Sequence, residues 1–151
     1  MLDATDRRLL RAIQDNAQLT AQDLGEMLNL SPSQAGRRRQ RLEAAGIVTG
    51  ARAVVAPQGL GLHVQAFVQV QMKTHSAEID TSFVTLLRET PEVTAAFTLT
   101  GEADYLLRVW CEDLQALHRL IHGRLLPHPN VARVQSQIVM DQPKTDAPLP
   151  V

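Results

Sequence analysis

Three helix-start signals lie within the first 32 residues, and they constrain the N-terminal part of this chain more than any other feature. Asp3, Thr20 and Ser31 each stand where a side-chain oxygen can cap the first turn of a helix. Acidic residues follow three positions after the first two caps, and Pro32 follows the third. Gly46 is a typical stop signal. The sequence therefore predicts three short helices before residue 46.

The second and third predicted helices are separated by only about three residues, 28–30. The third helix carries four arginines within five positions, although the whole chain has a net charge of −1. A tight turn between a short helix and a capped basic helix is the layout of a helix-turn-helix, whose second helix enters the DNA major groove. We therefore predict that residues 1–52 bind double-stranded DNA.

The helical period indicates which side chains of the third helix face DNA. Ala35 and Leu42 are seven positions apart and mark the face that packs on the other helices. Hydroxyl, amide and guanidinium groups that bond phosphates or base edges lie away from this face or at its edge: Ser33, Gln34, Arg37, Arg38 and Arg41. Arg39 stands where an apolar residue is expected, and the period leaves open whether it faces the core or DNA.

The hydrophobic period changes after a linker at residues 53–61, in which a short β-type run also predicts a strand. Residues 63–72 alternate between apolar and polar, which is typical of a strand with one buried face. Two helical segments and three more strands follow, with inward positions expected at Ile79, Phe83, Leu86 and Leu87 and at Leu114, Leu117 and Ile121. The order βαββαβ over residues 62–141 predicts a ferredoxin-like fold in an α+β protein, followed by a Pro-rich tail at 142–151.

The sheet face that the two helices leave uncovered is expected to carry Phe67 among glutamines. A half-apolar, uncharged surface of this kind is more typical of a subunit interface than of a solvated face. The sequence therefore predicts a homodimer joined through the sheets.

Several function classes find no support in the sequence. No apolar run reaches the roughly 18 to 20 residues that span a bilayer, and no export signal is visible, so a cytoplasmic protein without membrane contact is expected. Cys111 is the single cysteine, and His118 and His122 lack the acidic residue of a zinc hydrolase motif. We expect no enzyme activity, no catalytic residues, no cofactor and no metal site.

Several motifs together identify a resemblance: "LDATDRRLL", "LSPSQAGRRRQRLEAAGIVTG", "TGEADYLLRV" and "DLQAL". In this order they resemble the Lrp/AsnC (feast/famine) transcription regulators over about residues 2–141. The resemblance implies a winged helix-turn-helix followed by a ligand-sensing βαββαβ domain. It also implies dimers that often assemble into octamers, and a small effector that is usually an amino acid.

The resemblance also assigns site residues. It places Ser31, Pro32, Ser33 and Arg38 in the recognition-helix signature, which adds Ser31 to the predicted DNA-contacting residues. It places Gly101, Asp104 and Tyr105 in a turn beside the effector pocket. Gln137 and Ile138 fall at its effector-response positions. An amino acid needs an acceptor for its ammonium group and donors for its carboxylate, and Thr98, Thr100, Asp104, Gln137 and the backbone near Gly101 offer both.

Two departures from the family pattern concern helix stability. Gly25 and Gly36 lie inside predicted helices, where glycine costs about 1 kcal/mol relative to alanine. The main hypothesis is a sequence-specific regulator whose DNA affinity or oligomeric state an effector tunes. Two alternatives stay open: an architectural DNA-binding protein without an effector, and a ferredoxin-like sensor or enzyme whose N-terminal helices serve only for oligomerisation.

Overall fold

The computed structural model describes residues 1–74 and 76–151, and for residues 77–80 it describes the backbone alone. The chain divides into two compact units. The first comprises Met1–Val54 together with Pro143–Val151, and the second comprises Val55–Gln142.

The first unit contains the three predicted helices: α1 (Ala4–Asp15), α2 (Ala21–Leu28) and α3 (Pro32–Ala44). Each begins at its predicted cap, because the side chains of Asp3, Thr20 and Ser31 accept a hydrogen bond from the backbone N–H three residues on. In each case the side chain of the third helical residue accepts a hydrogen bond from the backbone N–H of the cap. Each reciprocal pair therefore satisfies two N–H groups that would otherwise be unpaired. The three start signals are thus confirmed.

The core of the first unit joins one stripe from each helix. Leu9, Leu24, Ala35 and Leu42 are almost fully buried, as the spacing of Ala35 and Leu42 predicts. Apolar stripes of this kind supply most of the stability of short helices, which are marginal in isolation. The α2–α3 turn passes through Asn29, whose left-handed φ of 57° reverses the chain.

The prediction of a strand after α3 is wrong, because residues 47–56 form no strand. A single 3₁₀ turn follows at Pro57–Leu60. A strand needs a neighbour to bond its backbone N–H and C=O groups, and the described sheet pairs only strands from residue 64 onward. A β-type composition therefore did not suffice to form a strand in residues 47–56.

The second unit has the predicted βαββαβ order. Its elements are β1 (Val64–Met72), α4 (Ala77–Arg88), β2 (Val93–Thr98), β3 (Tyr105–Cys111), α5 (Leu114–Leu120) with a π-helical turn (Ile121–Leu125), and β4 (Val131–Ile138). The antiparallel sheet has the strand order β2-β3-β1-β4, so both central strands bond on each side. The ferredoxin-like prediction is confirmed.

The sheet buries one face under α4 and α5. Alternate residues of β1, from Val64 to Met72, pack with Phe83, Leu107 and Leu120 in this core. Leu114 was expected inward, but its side chain is 58% exposed because it is the first residue of α5, directly after the Asp113 cap. The side chain of Ile79 lies outside the described part of the chain. Within the described residues, no helix combines the length and the apolar character that a membrane span requires.

Candidate functional site

The start of α3 uses two predicted DNA-contacting residues to cap the helix. The Ser31 hydroxyl accepts from the Gln34 N–H at 3.2 Å, and the Ser31 N–H donates to Gln34 Oε1 at 3.0 Å. The Ser31 hydroxyl also donates to Gln34 Oε1 at 3.1 Å. Their oxygens are therefore engaged within the helix, and the cap orients the first turn.

Two predicted DNA-contacting arginines, Arg38 and Arg41, pair with carboxylates at the start of the first helix. Nη2 of Arg41 lies 2.6 Å from both carboxylate oxygens of Asp6, and Nη1 of Arg38 lies 2.9 Å from Asp6 Oδ1. Nη1 of Arg38 also lies 2.6 Å from Asp3 Oδ2. The Asp6 side chain is 1% exposed, so these bonds supply the partners that a buried carboxylate requires.

This network shifts the protonation equilibria of its outer members. The hydrogen bond from the Arg38 guanidinium holds the pKa of Asp3 below its ordinary value of 3.8, and the Asp6 backbone N–H acts in the same direction. The bonds from Arg38 to Asp3 and then to Asp6 raise the pKa of Arg38 above its ordinary value. Arg38 therefore stays charged and docks α3 on α1.

Arg39, whose orientation the helical period left undecided, bonds main-chain carbonyls outside its own helix. Its Nη1 donates to the carbonyl of Leu19 at 2.9 Å, and its Nη2 donates to the carbonyl of Ala17 at 3.4 Å. Its Nε pairs with Glu43 one turn later at 2.9 Å. Arg39 thus satisfies backbone carbonyls in the α1–α2 turn, and it belongs to neither the apolar core nor the exposed face of α3.

The exposed stripe of α3 consists of Ser33, Arg37 and Gln40, which follow one another at helical spacings of four and three. Arg37 is exposed and forms no ion pair with any residue that the structure describes. Sequence reasoning missed Gln40, although its position seven residues after Ser33 was a usable signal. The stripe combines a hydroxyl, a guanidinium and an amide, the groups that read base edges and phosphates.

The hairpin between β2 and β3 contains most of the predicted effector residues. Asp104 pins this hairpin to β1, because its Oδ2 accepts from the Met72 N–H at 2.6 Å and its own N–H donates to the Val70 carbonyl at 3.0 Å. Gly101 has a φ of +120°, a conformation that side chains with a Cβ rarely adopt. Asp104 and Gly101 therefore shape the turn.

The other predicted effector residues lie on the opposite edge of the sheet. Gln137 and Ile138 of β4 pair with Phe67 and Ala66 of β1, whereas Thr98 belongs to β2. Three strand spacings separate β2 from β4, which corresponds to about 14 Å. Within one chain, the six predicted effector residues therefore form two groups and no single pocket.

A small polar cavity of about 50 Å³ opens on the uncovered sheet face, beside the hairpin. Glu102 and Arg133 both line it, and Glu102 Oε1 lies 3.8 Å from Arg133 Nη1. Amide side chains of β1 and β4 complete the lining: Gln69, Gln71 and Gln135. An acid, a base and several amides in one place provide acceptors for an ammonium group and donors for a carboxylate.

The uncovered face of the sheet carries more apolar surface than its glutamines suggested. The strand register places Phe67 of β1, Leu106 and Trp110 of β3 and Phe97 of β2 on this face. Phe97 is 51% exposed. Tyr105 lies on the opposite face, in contact with Phe83 at 4.9 Å between ring centroids. The aromatic residue that β3 adds to the uncovered face is therefore Trp110.

Two sequence families match the two parts of the chain. The winged helix-turn-helix DNA-binding family matches residues 2–49, and the Lrp/AsnC ligand binding domain matches residues 65–149. The DNA-binding transcriptional activator DecR of Escherichia coli is 36% identical over 151 residues, which are 100% of this chain and 99% of the relative. The transcriptional regulator AzlB of Bacillus subtilis is 30% identical over 100% of this chain and 96% of its own length.

Solved structures agree with these matches. A transcriptional regulator of Neisseria meningitidis in complex with L-methionine superposes with a TM-score of 0.94 at 37% identity, over 99% of this chain and 97% of that chain. The structure of Escherichia coli AsnC gives a TM-score of 0.88 at 28% identity, over 97% of both chains. This chain belongs to the Lrp/AsnC family of DNA-binding transcriptional regulators.

Proposed function

We propose that this regulator binds specific sites on double-stranded DNA through the exposed stripe of α3 formed by Ser33, Arg37 and Gln40. The observation that carries this proposal is the contrast among the arginines of α3. Arg38, Arg39 and Arg41 bond within the first unit, whereas Arg37 is exposed and unpaired among the described residues. A cation held on a rigid, docked helix is suited to a phosphate or a guanine.

The test is a fluorescence-anisotropy titration with duplex DNA from upstream of the protein's own gene, at several salt concentrations. Arg37→Ala should weaken binding about tenfold and lower the salt slope by about one. Arg124→Ala is the matched control, because Arg124 is exposed in the second unit. Random duplex that competes as well as the specific duplex would favour the architectural alternative, and no binding at low salt would favour the sensor or enzyme.

The proposed effector is an amino acid, bound near the β2–β3 hairpin. The relative from Neisseria meningitidis, solved as a complex with L-methionine, supports this class of ligand. The pairing of Glu102 with Arg133 beside the hairpin offers complementary charges for an amino acid. The separation of Thr98 from Gln137 favours a pocket that a second copy completes, with the hairpin of one chain near β4 of the other.

A thermal-shift screen of the twenty amino acids tests the effector. A ligand that binds only the folded state raises the melting temperature, by an amount that follows its concentration over its dissociation constant. Arg133→Ala should abolish the shift in melting temperature, because it removes the guanidinium that is proposed to donate hydrogen bonds to the carboxylate of the amino acid. Thr145→Ala, in the C-terminal segment of the first unit, is the control and should leave the shift intact. If no amino acid raises the melting temperature, the effector proposal fails.

We further propose a homodimer joined through the uncovered sheet face, with octamers as the larger assembly. Phe67, Phe97, Leu106 and Trp110 support this interface because apolar and aromatic residues are enriched at the centre of subunit contacts. Analytical ultracentrifugation at micromolar concentration should detect a dimer or a multiple of it. A species that stays monomeric throughout that range would contradict the proposal.

A further inference from the structure

The segment Pro143–Val151, here called the strap, follows the last strand of the second unit but packs within the first unit. Its contacts fall on α1, about 135 to 140 residues earlier in the chain. Composition alone predicted only a Pro-rich tail. The strap is therefore part of the first unit, here called the DNA-binding unit, which its Pro-rich composition did not indicate.

Two polar side chains of α1 hold the main chain of the strap. The Leu149 N–H donates to Gln14 Oε1 at 2.7 Å, and Gln14 Nε2 donates back to the Leu149 carbonyl at 3.2 Å. Arg11, one turn earlier, donates from Nε to the Val151 carbonyl oxygen at 2.7 Å, and its Nη2 contacts the same oxygen. An amide that pairs with both polar groups of one residue recognises an extended main chain, as a neighbouring strand does.

The strap also has an apolar anchor. Val151 is partly buried and packs against the core cluster of the first unit. The last three residues of the strap line a groove of about 690 Å³ together with Leu10 and Ile13 of α1. The side chain of Leu149 is 75% exposed, so Leu149 is held through its main chain.

Two prolines prepare the strap for this binding mode. Pro148 and Pro150 flank Leu149 and have no N–H group, so Leu149 offers the single main-chain donor of the three residues. Gln14 satisfies that donor. Proline also fixes φ, which reduces the conformational freedom that the segment loses on docking. The sequence Pro-Leu-Pro therefore complements Gln14 in both hydrogen bonding and entropy.

We propose that the α1 surface around Arg11 and Gln14 is a docking site for the strap. Docking gives the DNA-binding unit a second chain connection to the second unit, here called the sensing unit, in addition to the linker at residues 53–61. Two connections restrict the motion of a unit more than one does, so the docked strap limits the orientations that α3 can adopt. Release of the strap leaves the DNA-binding unit attached through the linker alone.

Amide hydrogen exchange of the full chain, followed by NMR, tests the docking. The Leu149 amide should exchange at least about tenfold more slowly than an unstructured amide, because Gln14 is its partner. Gln14→Ala should abolish this protection, and Gln14→Glu, which keeps an acceptor, should retain more of it. Gln22→Ala is the matched control on α2, because Gln22 is exposed and its side chain bonds Glu26 one turn later, and it should leave the protection of the Leu149 amide unchanged. Equal exchange at Leu149 in the native chain and in Gln14→Ala would overturn the docking.

¹⁵N relaxation of the same samples tests the second connection. Release of the strap should lower the apparent rotational correlation time of amides in α2 and α3, while those in the sheet change less. Arg11→Ala and Gln14→Ala should both lower the correlation time of these amides, because each substitution removes contacts to the strap. Lost Leu149 protection with an unchanged correlation time would overturn the restraining role.

Discussion

The guanidinium of Arg41 lies 2.6 Å from both carboxylate oxygens of Asp6, a residue that is 1% exposed. This bond joins the last turn of α3 to the first turn of α1. Arg38 bonds the same carboxylate from one turn earlier. Residues that resemble a DNA-binding cluster in sequence therefore also set the position of the helix that presents Arg37.

Replacement of the shared carboxylate should destabilise the first unit. Asp6→Asn removes the buried negative charge that Arg38 and Arg41 share and replaces one of its two acceptor oxygens with an amide donor, and we expect a loss of about 2–4 kcal/mol in the free energy of unfolding. Urea unfolding followed by circular dichroism measures it. Arg37→Ala, which removes an exposed arginine from the same helix, should change stability by less than about 0.5 kcal/mol. Similar losses for both variants would contradict this assignment of roles.

Gln40 should contribute to DNA sequence preference. Gln40→Ala removes an amide that can bond an adenine edge, and we expect a loss of about 1–3 kcal/mol of discrimination at one base pair. Binding titrations against duplexes with single base changes measure this preference. Affinity that falls equally for every duplex would instead assign Gln40 to the DNA backbone.

The two helical glycines should respond oppositely to alanine. At Gly25 an added Cβ would lie 2.8 Å from the backbone oxygen of Leu30, so Gly25→Ala should destabilise by about 1–3 kcal/mol. At Gly36 it would meet only the Cβ of Ala21 at an ordinary 3.6 Å. Gly36→Ala should therefore stabilise by about 0.5–1 kcal/mol through helix propensity. Thermal unfolding of both variants tests the contrast, and stabilisation by Gly25→Ala would show that the α2–α3 turn can open.

The stability of the first unit should depend on pH through Asp3. Its folded-state pKa lies below the ordinary value of 3.8, so its contribution is complete above that value and disappears as the pH falls through the lowered folded pKa. Melting temperatures of the native chain and Asp3→Asn should therefore differ at about pH 6 and converge in acid. A difference that stays constant with pH would mean that the charge of Asp3 contributes nothing.

A charge on the uncovered sheet face should disrupt the proposed dimer. Phe97 is half exposed, so Phe97→Glu should leave the subunit folded while it places a carboxylate in the interface. We expect the dimer dissociation constant to rise at least about a hundredfold. Sedimentation velocity measures it, with Gln115→Glu on the outer side of α5 as the matched control. Equal association of both variants would place the interface elsewhere.

Local signals in the sequence determined most of the fold. The caps at Asp3, Thr20 and Ser31 and the alternation of β1 depend on residues a few positions apart, so both can be read along the chain. The strand prediction for the linker was wrong because it also depended on local composition alone. Its composition favoured β structure, but a strand also needs a partner, which composition does not provide.

The tertiary structure decided what each polar side chain does. The helical period separated the outer face of α3 from its core face, but it did not reveal that Asp6 binds Arg38 and Arg41. It also did not reveal that Arg39 bonds the α1–α2 turn or that the strap docks on Gln14. These bonds join residues 20 to 135 positions apart. Local propensity determines where helices and strands begin, whereas such long-range partners exist only once packing has brought their helices together.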